Sequence, residues 1–313
     1  MVLRRAGQTI EHRGFRDLAS LIPAGDVIVL NRTRVIRARL LGRRTSGAPA
    51  EILLLKPLEG ATFEAMVSPG GKLKPGRVVE VADDLRVEIV AVTERRTRIV
   101  KLITPHPIDE AIARYGHVPL PPYIARDDTS DDAERYQTVY ALEAGSAAAP
   151  TAGLHFTTEL LRELAERGVE RAELVLHVGA GTFKPVEVDD PRAHTMHEEW
   201  YRVSRAAADT INSAHARGGK CWAVGTTSVR TLESVAAEDG CVTAGEGETR
   251  MFIYPPFHFR VIDRLITNFH LPRSTLLMLV AAFAGYDLTM RAYHEAIAMG
   301  YRFYSYGDAM VVI

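Results

Sequence analysis

The stretch from about residue 35 to 105 constrains the fold more than any other part of this chain. Short runs typical of β-strands follow one another there, separated by Gly, Pro and Asp, at 51–55, 63–67, 78–81, 85–92 and 98–103. No helical period competes with them. We therefore predict a small all-β unit, either a barrel or a sandwich.

The rest of the chain has a different pattern. A buried strand is predicted at 26–30, a short amphipathic helix at 108–115, and from residue 147 onward helical and strand-like segments alternate. Such alternation is typical of an α/β domain. At 313 residues the chain is long enough for two domains, so we expect one all-β and one α/β domain.

Charge is distributed unevenly along the chain. Residues 1–125 contain 20 Lys and Arg against 13 Asp and Glu, whereas residues 126–313 contain 18 against 26. A local positive excess suits contact with a polyanion such as nucleic acid, although a solvated face explains it as well. The sequence has two cysteines, without the spacing of a metal site, and no apolar run long enough to span a bilayer. We therefore expect a cytoplasmic protein without a membrane partner.

The segment 221–234 carries the clearest signal for a ligand. Four apolar or weakly polar residues predict a short buried strand, Gly225 breaks it, and Thr226, Thr227 or Ser228 is expected to cap the following helix. Unpaired backbone N–H groups at such a helix start suit a carboxylate, phosphate or ribose oxygen, and Arg230 can reinforce the site. An ordinary capped strand-to-helix turn is the alternative.

Two further turns have a similar composition. A strand at 174–177 leads into His177–Phe183, which lacks the third glycine and the helix of a dinucleotide fingerprint. Strands predicted at 250–254 and 261–266 precede the turn Asn268–Thr275, where Ser274 or Thr275 caps an apolar helix from Leu276; a last helix is predicted at 293–299. We expect these two turns and Gly225–Arg230 to meet at one edge of a sheet and form one ligand cleft.

Candidate nucleic-acid contacts lie in the basic first half of the chain. If 32–40 is one strand, Arg37 and Arg39 share a face and can grip phosphates, with Arg32 and Arg34 nearby. Arginines on the wet face of a strand need no ligand, however. Tyr123, in a proline-rich extended segment, and Tyr136 are candidates for stacking on bases, although packing in a core explains such aromatics too.

Taken together, these segments resemble the S-adenosylmethionine:tRNA ribosyltransferase-isomerase family of queuosine biosynthesis. The resemblance runs from about residue 25 to 310 and rests on the segments 31–39, 119–123, 136–140, 149–156, 177–183, 194–199, 224–233, 267–275 and 301–308. It implies an α/β catalytic domain, barrel-like or layered, at 1–35 and 126–313. It also implies an inserted β-barrel domain at 36–125.

The resemblance also implies a reaction. The ribosyl part of S-adenosylmethionine would be transferred to 7-aminomethyl-7-deazaguanine at the tRNA wobble position, giving epoxyqueuosine with release of adenine and methionine. S-adenosylmethionine would be a co-substrate, with no true cofactor and no metal, and we expect a monomer. His194 and His197 are spaced like a metal pair, but no third ligand stands out.

Site residues follow from this reaction and from the three turns. Proton transfers near neutral pH favour His and Glu, so the catalytic candidates are His155, His177, His197, Glu199 and His270. For any one of them a purely structural role is the alternative. The candidates for binding S-adenosylmethionine are Gly179, Gly181, Thr182, Phe183, Gly225, Thr226, Thr227, Arg230, Asn268, Phe269, Ser274 and Thr275.

Two other function classes explain parts of the sequence less well. A non-catalytic RNA-binding protein would explain the basic first half but not the Gly-rich turns, and an ordinary methyltransferase would need a glycine-rich loop after its first strand, which the sequence lacks.

Members of the family that this chain resembles usually carry a further N-terminal segment ahead of the residues matched by Met1–Leu3. A form extended by that segment is expected to be more stable or to turn over faster.

Overall fold

The computed structural model describes residues 1–313 except 122, 125, 180–187, 189 and 195. The chain forms two compact units. An α/β unit contains Met1–Thr33, Thr138–Glu143 and Pro150–Ile313, and a barrel unit contains Arg34–Gln137 and Ala144–Ala149. The boundaries expected from the sequence, at 36 and 126, differ from these because the segments 126–137 and 144–149 pack with the barrel unit.

The α/β unit is built on an open sheet of nine strands. Their order is β15 (Gly245–Thr249), β13 (Glu199–Val203), β12 (Glu170–Leu176), β3 (Val27–Asn31), β14 (Cys221–Val224), β16 (Arg264–Asn268), β17 (Ala309–Val312), β1 (Val2–Arg4) and β2 (Thr9–Glu11). The four central strands β12, β3, β14 and β16 are parallel. Of the two expected arrangements, barrel-like and layered, the open sheet is the layered one.

Both faces of this sheet are covered. Along β3, Val27 and Val29 belong to one apolar cluster, whereas Ile28 and Leu30 belong to another. Strands buried on both faces are apolar throughout, which explains the unbroken apolar run at 27–30. The helices of this unit are α1 (Leu18–Leu21), α4 (Thr158–Glu166), α5 (Arg205–Ala216), α6 (Gly225–Ser234), α7 (Thr275–Ala284) and α8 (Tyr286–Ala298), with 3-10 turns at Phe15–Asp17, Thr151–His155 and Pro191–Ala193.

The barrel unit contains a closed antiparallel barrel of six strands. Their order is β10 (Arg98–Ile103), β7 (Thr62–Ser68), β6 (Pro49–Pro57), β5 (Arg39–Arg44), β8 (Val78–Ala82) and β9 (Leu85–Val92). Alternate residues point inward, so that Val87, Ile89 and Val100 are fully buried. The unit also contains α2 (Ile108–Tyr115) and α3 (Asp132–Arg135), and β4 (Thr33–Val35) pairs with β11 (Glu143–Ser146).

The mixed α/β architecture with an all-β barrel is thus confirmed, but four local predictions are wrong. Residues 250–254 are not a strand; the strand lies earlier, at β15. The run 32–40 is broken between β4 and β5, where the Ala38 N–H donates to the Ile36 carbonyl in a tight turn. The last helix begins at Tyr286 rather than 293. Helix α6 begins at Gly225 itself, so the hydroxyl residues expected to cap it lie inside it.

Among the described residues, no single helix is long and apolar enough to cross a membrane. Helices α7 and α8 meet that condition of length and composition only as a pair, and the pair is bent by 116°.

Candidate active site

The four parallel strands of the α/β unit all end at one edge of the sheet, which we call the carboxyl edge. It comprises Leu176, Asn31, Val224 and Asn268, the last residues of β12, β3, β14 and β16, and the residues that follow them. Since β13 runs antiparallel to β12, its first residue, Glu199, lies at this edge too. Ligands of open α/β sheets bind at such an edge, outside the carboxyl ends of the strands.

His177 is held at the carboxyl edge by a network of polar groups. The Asn31 amide donates to the Leu176 carbonyl at 2.9 Å and accepts from the Leu176 N–H at 3.0 Å, which locks β3 to β12. Asn31 Oδ1 also accepts from the Thr33 N–H, and Thr33 Oγ1 lies 2.8 Å from His177 Nδ1. The imidazole stacks on Trp200 with ring centroids 5.0 Å apart.

This environment keeps His177 neutral at pH 7. Burial, the largest effect, lowers the pKa of His177 below its usual value. Among the described residues, Nε2 has no hydrogen-bond partner. If Thr33 accepts from Nδ1–H, the basic nitrogen is Nε2, and it is available to take a proton.

A second histidine lies beside the end of β16. Asn268 Oδ1 accepts from Thr151 Oγ1 at 2.9 Å, and Asn268 Nδ2 lies 3.1 Å from His155 Nε2. An amide nitrogen only donates, so Nε2 accepts and the neutral ring carries its proton on Nδ1. His155 stacks on Phe15 at 5.0 Å, and burial lowers its pKa.

His270 has a structural environment instead. Its Nε2 lies 2.7 Å from Thr267 Oγ1, and its backbone N–H donates to the Tyr293 hydroxyl at 2.8 Å. Burial lowers the pKa of His270 to about 4. A ring that is enclosed and held in this way fits a role in anchoring the turn after β16 better than proton transfer.

Helix α6 enters the carboxyl edge between these two histidines, following β14. Gly225 adopts φ +84°, a backbone conformation that residues other than glycine rarely adopt, and the N-cap residue Val224 makes no side-chain cap hydrogen bond. The Arg230 guanidinium forms a buried ion pair with Glu199 and donates from Nε to the Met251 carbonyl at 3.0 Å. Glu199 Oε1 accepts from the Gly179 N–H at 2.9 Å. Both carboxylate oxygens are therefore engaged, which makes Glu199 an anchor rather than a free base.

Comparisons with known proteins bear on this site. The family model described as queuosine biosynthesis protein matches residues 1–312. This chain belongs to that family. It is 54% identical to the S-adenosylmethionine:tRNA ribosyltransferase-isomerase of Symbiobacterium thermophilum and 52% identical to that of Moorella thermoacetica, in each case over 100% of this chain and 92% of the relative.

A solved structure of the family agrees with these sequence matches. The crystal structure of S-adenosylmethionine tRNA ribosyltransferase from Thermotoga maritima is 40% identical in sequence and superposes with a TM-score of 0.54. The match covers 100% of this chain and 91% of the other.

In this member of the queuosine biosynthesis family, the carboxyl edge brings together part of the predicted site. His177, Gly179, Gly225, Arg230 and Asn268 lie at the edge, and Thr226 and Thr227 are in the first turn of α6. His155 joins them through Asn268. The predicted residues Gly181, Thr182 and Phe183 lie outside the described residues.

Other predicted residues have structural environments. Ser274 caps α7 by accepting from the Leu277 N–H, and Thr275 is the first residue of that helix. Phe269 is fully buried and its ring contacts those of Tyr293, Tyr301 and Phe303, an environment typical of core packing. Its predicted part in binding S-adenosylmethionine stays a prediction. His197 is half-buried in the segment ahead of β13. Among the described residues, no group of three or more His, Cys, Asp or Glu could hold a metal ion.

The residues predicted to bind tRNA have different environments. Because the run 32–40 is broken, Arg37 and Arg39 are not alternate residues of one strand. Arg39 pairs with Glu51 at 2.9 Å, Arg37 donates to the Ala113 carbonyl, and Arg34 is exposed. Arg32, in the α/β unit, lies 3.5 Å from Glu143 and 3.6 Å from Glu173. Tyr136 is fully buried in the barrel unit, as core packing requires, and Tyr123 is half-buried.

The site contains four residues that were not predicted from the sequence. Asn31, Thr33 and Trp200 hold His177, and Thr151 holds Asn268, which contacts His155. One signal was available, because Asn31 ends an otherwise apolar run and a polar residue there is buried at a strand end. Thr33 and Trp200 are far in sequence from His177, which they contact, and Thr151 acts on His155 only through Asn268, 117 residues further along the chain, so no local pattern predicts these contacts.

Proposed function

We propose that this chain transfers the ribosyl part of S-adenosylmethionine to 7-aminomethyl-7-deazaguanine at the wobble position of a tRNA and isomerises it. The products are epoxyqueuosine-tRNA, adenine and methionine. Identity of 50–54% to relatives named S-adenosylmethionine:tRNA ribosyltransferase-isomerase, over the whole of this chain, carries the proposal. The chain would act in the cytoplasm as a monomer and without a resident cofactor, with S-adenosylmethionine and tRNA as its substrates.

Two proton transfers are central to this reaction. The sulfonium of S-adenosylmethionine acidifies the neighbouring ribose 5′-carbon, so that a base can remove a proton there and start ring opening and loss of adenine. The tRNA amine must also lose a proton when it attacks. The α/β unit would carry out this chemistry at its carboxyl edge.

We assign the base at the 5′-carbon to His177. Its lowered pKa keeps the ring neutral at pH 7, and its Nε2 is unbonded among the described residues. Asn31 and Thr33 hold the ring in place through Nδ1. His155, whose Nε2 already accepts from Asn268, would orient substrate through Nδ1–H.

The reaction is tested by incubating the protein with S-adenosylmethionine and tRNA that carries the precursor base. Adenine and methionine in equal amounts support the proposal. S-adenosylhomocysteine would indicate a methyltransferase instead, and unchanged S-adenosylmethionine with retained tRNA binding would indicate an RNA-binding protein.

The role of His177 is tested by His177→Ala. Loss of a general base lowers turnover by about 10²–10⁴-fold, while the affinity for S-adenosylmethionine changes much less. His215→Ala is the matched control and should leave turnover unchanged. His215 is also half-buried and is bonded to the side chain of Asp263, which accepts from the N–H of the first residue of β14. Normal turnover of His177→Ala would show that another group is the base.

A further inference from the structure

Two buried hydrogen-bond donors on helix α6 have no partner among the described residues. Thr227 is 8% exposed and its Oγ1 is unbonded, and Arg230 is 5% exposed with its Nη2 unbonded. A buried polar group without a partner costs free energy comparable to that of a lost hydrogen bond. Two such donors one turn apart on one helix therefore point to a ligand group that satisfies both.

The Thr227 hydroxyl lies beside the first residue of the helix. A Cβ placed on Gly225 would lie 3.6 Å from Thr227 Oγ1 and 3.7 Å from the Ala152 Cβ. The neighbouring hydroxyls of Ser228 and Thr231 donate back to the carbonyls of Val224 and Thr227. Among the described residues, Thr227 Oγ1 is thus a fully buried hydroxyl oxygen without a partner in the first turn of this 10-residue helix.

Arg230 is held so that Nη2 points in a fixed direction. Its Nη1 donates to Glu199 and its Nε donates to the Met251 carbonyl. Glu199 balances the guanidinium charge, but the helix start adds a positive potential from its unpaired N–H groups. The side-chain donors without a partner among the described residues are therefore a guanidinium N–H and a hydroxyl. Since a helix start also leaves backbone N–H groups without a partner inside the helix, these donors together suit an anionic oxygen acceptor.

We propose that the first turn of α6, with Thr227 Oγ1 and Arg230 Nη2, binds the α-carboxylate of the methionyl part of S-adenosylmethionine. This carboxylate is the only anionic group of that molecule. The inference rests on the proposed function, which names the substrate. A tRNA phosphate is the less suitable occupant, because both side chains are more than nine-tenths buried and a polynucleotide backbone needs an open surface.

The test compares two ligands that differ only in the carboxylate. Calorimetry without tRNA measures binding of S-adenosylmethionine and of its decarboxylated form to the wild-type chain and to Thr227→Val, which keeps the side-chain volume but removes the hydroxyl. Thr227→Val is expected to weaken S-adenosylmethionine binding about tenfold, the effect of one hydrogen bond to a charged group. Binding of the decarboxylated form should not change. Thr227→Ser, which keeps the hydroxyl, should bind S-adenosylmethionine as tightly as the wild-type chain does.

Thr231→Val is the matched control, because it removes another buried hydroxyl from the same helix, one bonded inside the helix. It should leave the affinity for both ligands unchanged. Equal weakening of both ligands by Thr227→Val, or weakening of neither, overturns the inference while the proposed function stands. So does a loss confined to tRNA binding, which would place a phosphate at this turn. If the wild-type chain binds no S-adenosylmethionine, the proposed function itself fails.

Discussion

The barrel and the carboxyl edge differ in the kind of side chain that they bury. In the barrel, Leu40, Ile52 and Val87 are fully buried apolar residues, and along β9 buried apolar residues alternate with more exposed ones such as Arg86 and Val90. At the carboxyl edge, Asn31, Ser228 and Asn268 are equally buried but polar. Burial of a polar group costs free energy unless the group is bonded. Asn31, Ser228 and Asn268 are bonded, whereas Thr227 Oγ1 and Arg230 Nη2 at the same edge have no partner among the described residues and so reduce the stability of the edge. Such local violations of folding rules are expected where a protein binds and reacts.

One buried arginine in each region shows the difference. Arg98 of the barrel donates to the carbonyls of Leu73, Arg96 and Gly70, at 2.9, 2.6 and 2.7 Å, which fits a purely structural role. Arg230 of the edge has one nitrogen without a partner in the described part of the chain. A structural arginine has its donors satisfied within the protein, whereas a binding arginine keeps a donor for the ligand.

The largest effect on stability is expected from Glu199→Ala at the edge. Removing the carboxylate leaves the Arg230 charge buried and unpaired, which costs about 3–5 kcal/mol of the free energy of unfolding. Urea denaturation measures the loss. Asp209→Ala, which breaks the exposed pair with Arg205 on α5, is the control and should cause no measurable change. Equal effects of the two variants would mean that the buried pair contributes no more than a surface pair.

A smaller effect is expected from pH, through His270. The unfolded chain binds a proton there with a pKa of about 6.5, whereas burial lowers the pKa in the folded state to about 4. Between these values the unfolded state holds the extra proton, so stability is lost as pH falls from about 6.5 to 4. The loss is about 2–3 kcal/mol from this group, and His155 and His177 add to it in the same direction.

His270→Gln should flatten this pH dependence, because glutamine does not titrate. Unfolding free energies at pH 7 and pH 4.5 measure the difference between the variant and the wild type. If the two proteins lose stability in parallel, His270 is not the group that titrates.

In the barrel, Gly42→Ala should lower the free energy of unfolding without changing turnover per folded molecule. A Cβ on Gly42 would lie 2.5 Å from the Glu80 carbonyl oxygen and 2.7 Å from Val79 Cγ1, at the short pairing of β5 with β8. Overpacking of this kind costs about 1–3 kcal/mol. Gly71→Ala, where a Cβ meets nothing within 4 Å, is the control. A fall in turnover per folded molecule of Gly42→Ala would show that the barrel affects catalysis.

The barrel and the carboxyl edge also differ in how much of their structure could be predicted from the sequence. The strands at 85–92 and 98–103 and the helix at 108–115 are confirmed to the residue, because a two-residue or helical period is a local signal. The strand predicted at 250–254 was wrong. Its Met251 carbonyl accepts from Arg230 of α6 rather than from a neighbouring strand, and Ile253 belongs to the apolar cluster that contains Val229 and Leu232 of α6.

Within the site, local patterns predicted positions but not roles. The glycine at 225 and the strand ends at 177 and 268 follow from the sequence, because turn residues after apolar runs mark the ends of strands. That Glu199 anchors Arg230, and that Thr33 holds His177, depends on strands distant in sequence, which no pattern along the chain brings together.

The smallest expected effect tests whether the barrel also binds a ligand. Arg37 donates to a backbone carbonyl and, among the described residues, has no carboxylate partner, whereas Arg39 is paired with Glu51. A tRNA phosphate would have to displace the carboxylate from Arg39 but only a carbonyl from Arg37. Arg37→Ala is therefore expected to reduce the slope of log affinity for tRNA against log salt by about 1, and Arg39→Ala by less. Arg162→Ala, which breaks an exposed pair on α4, should leave the slope unchanged. If all three variants keep the wild-type slope, these barrel arginines do not contact phosphate, and their charge serves only the solvated surface of the barrel.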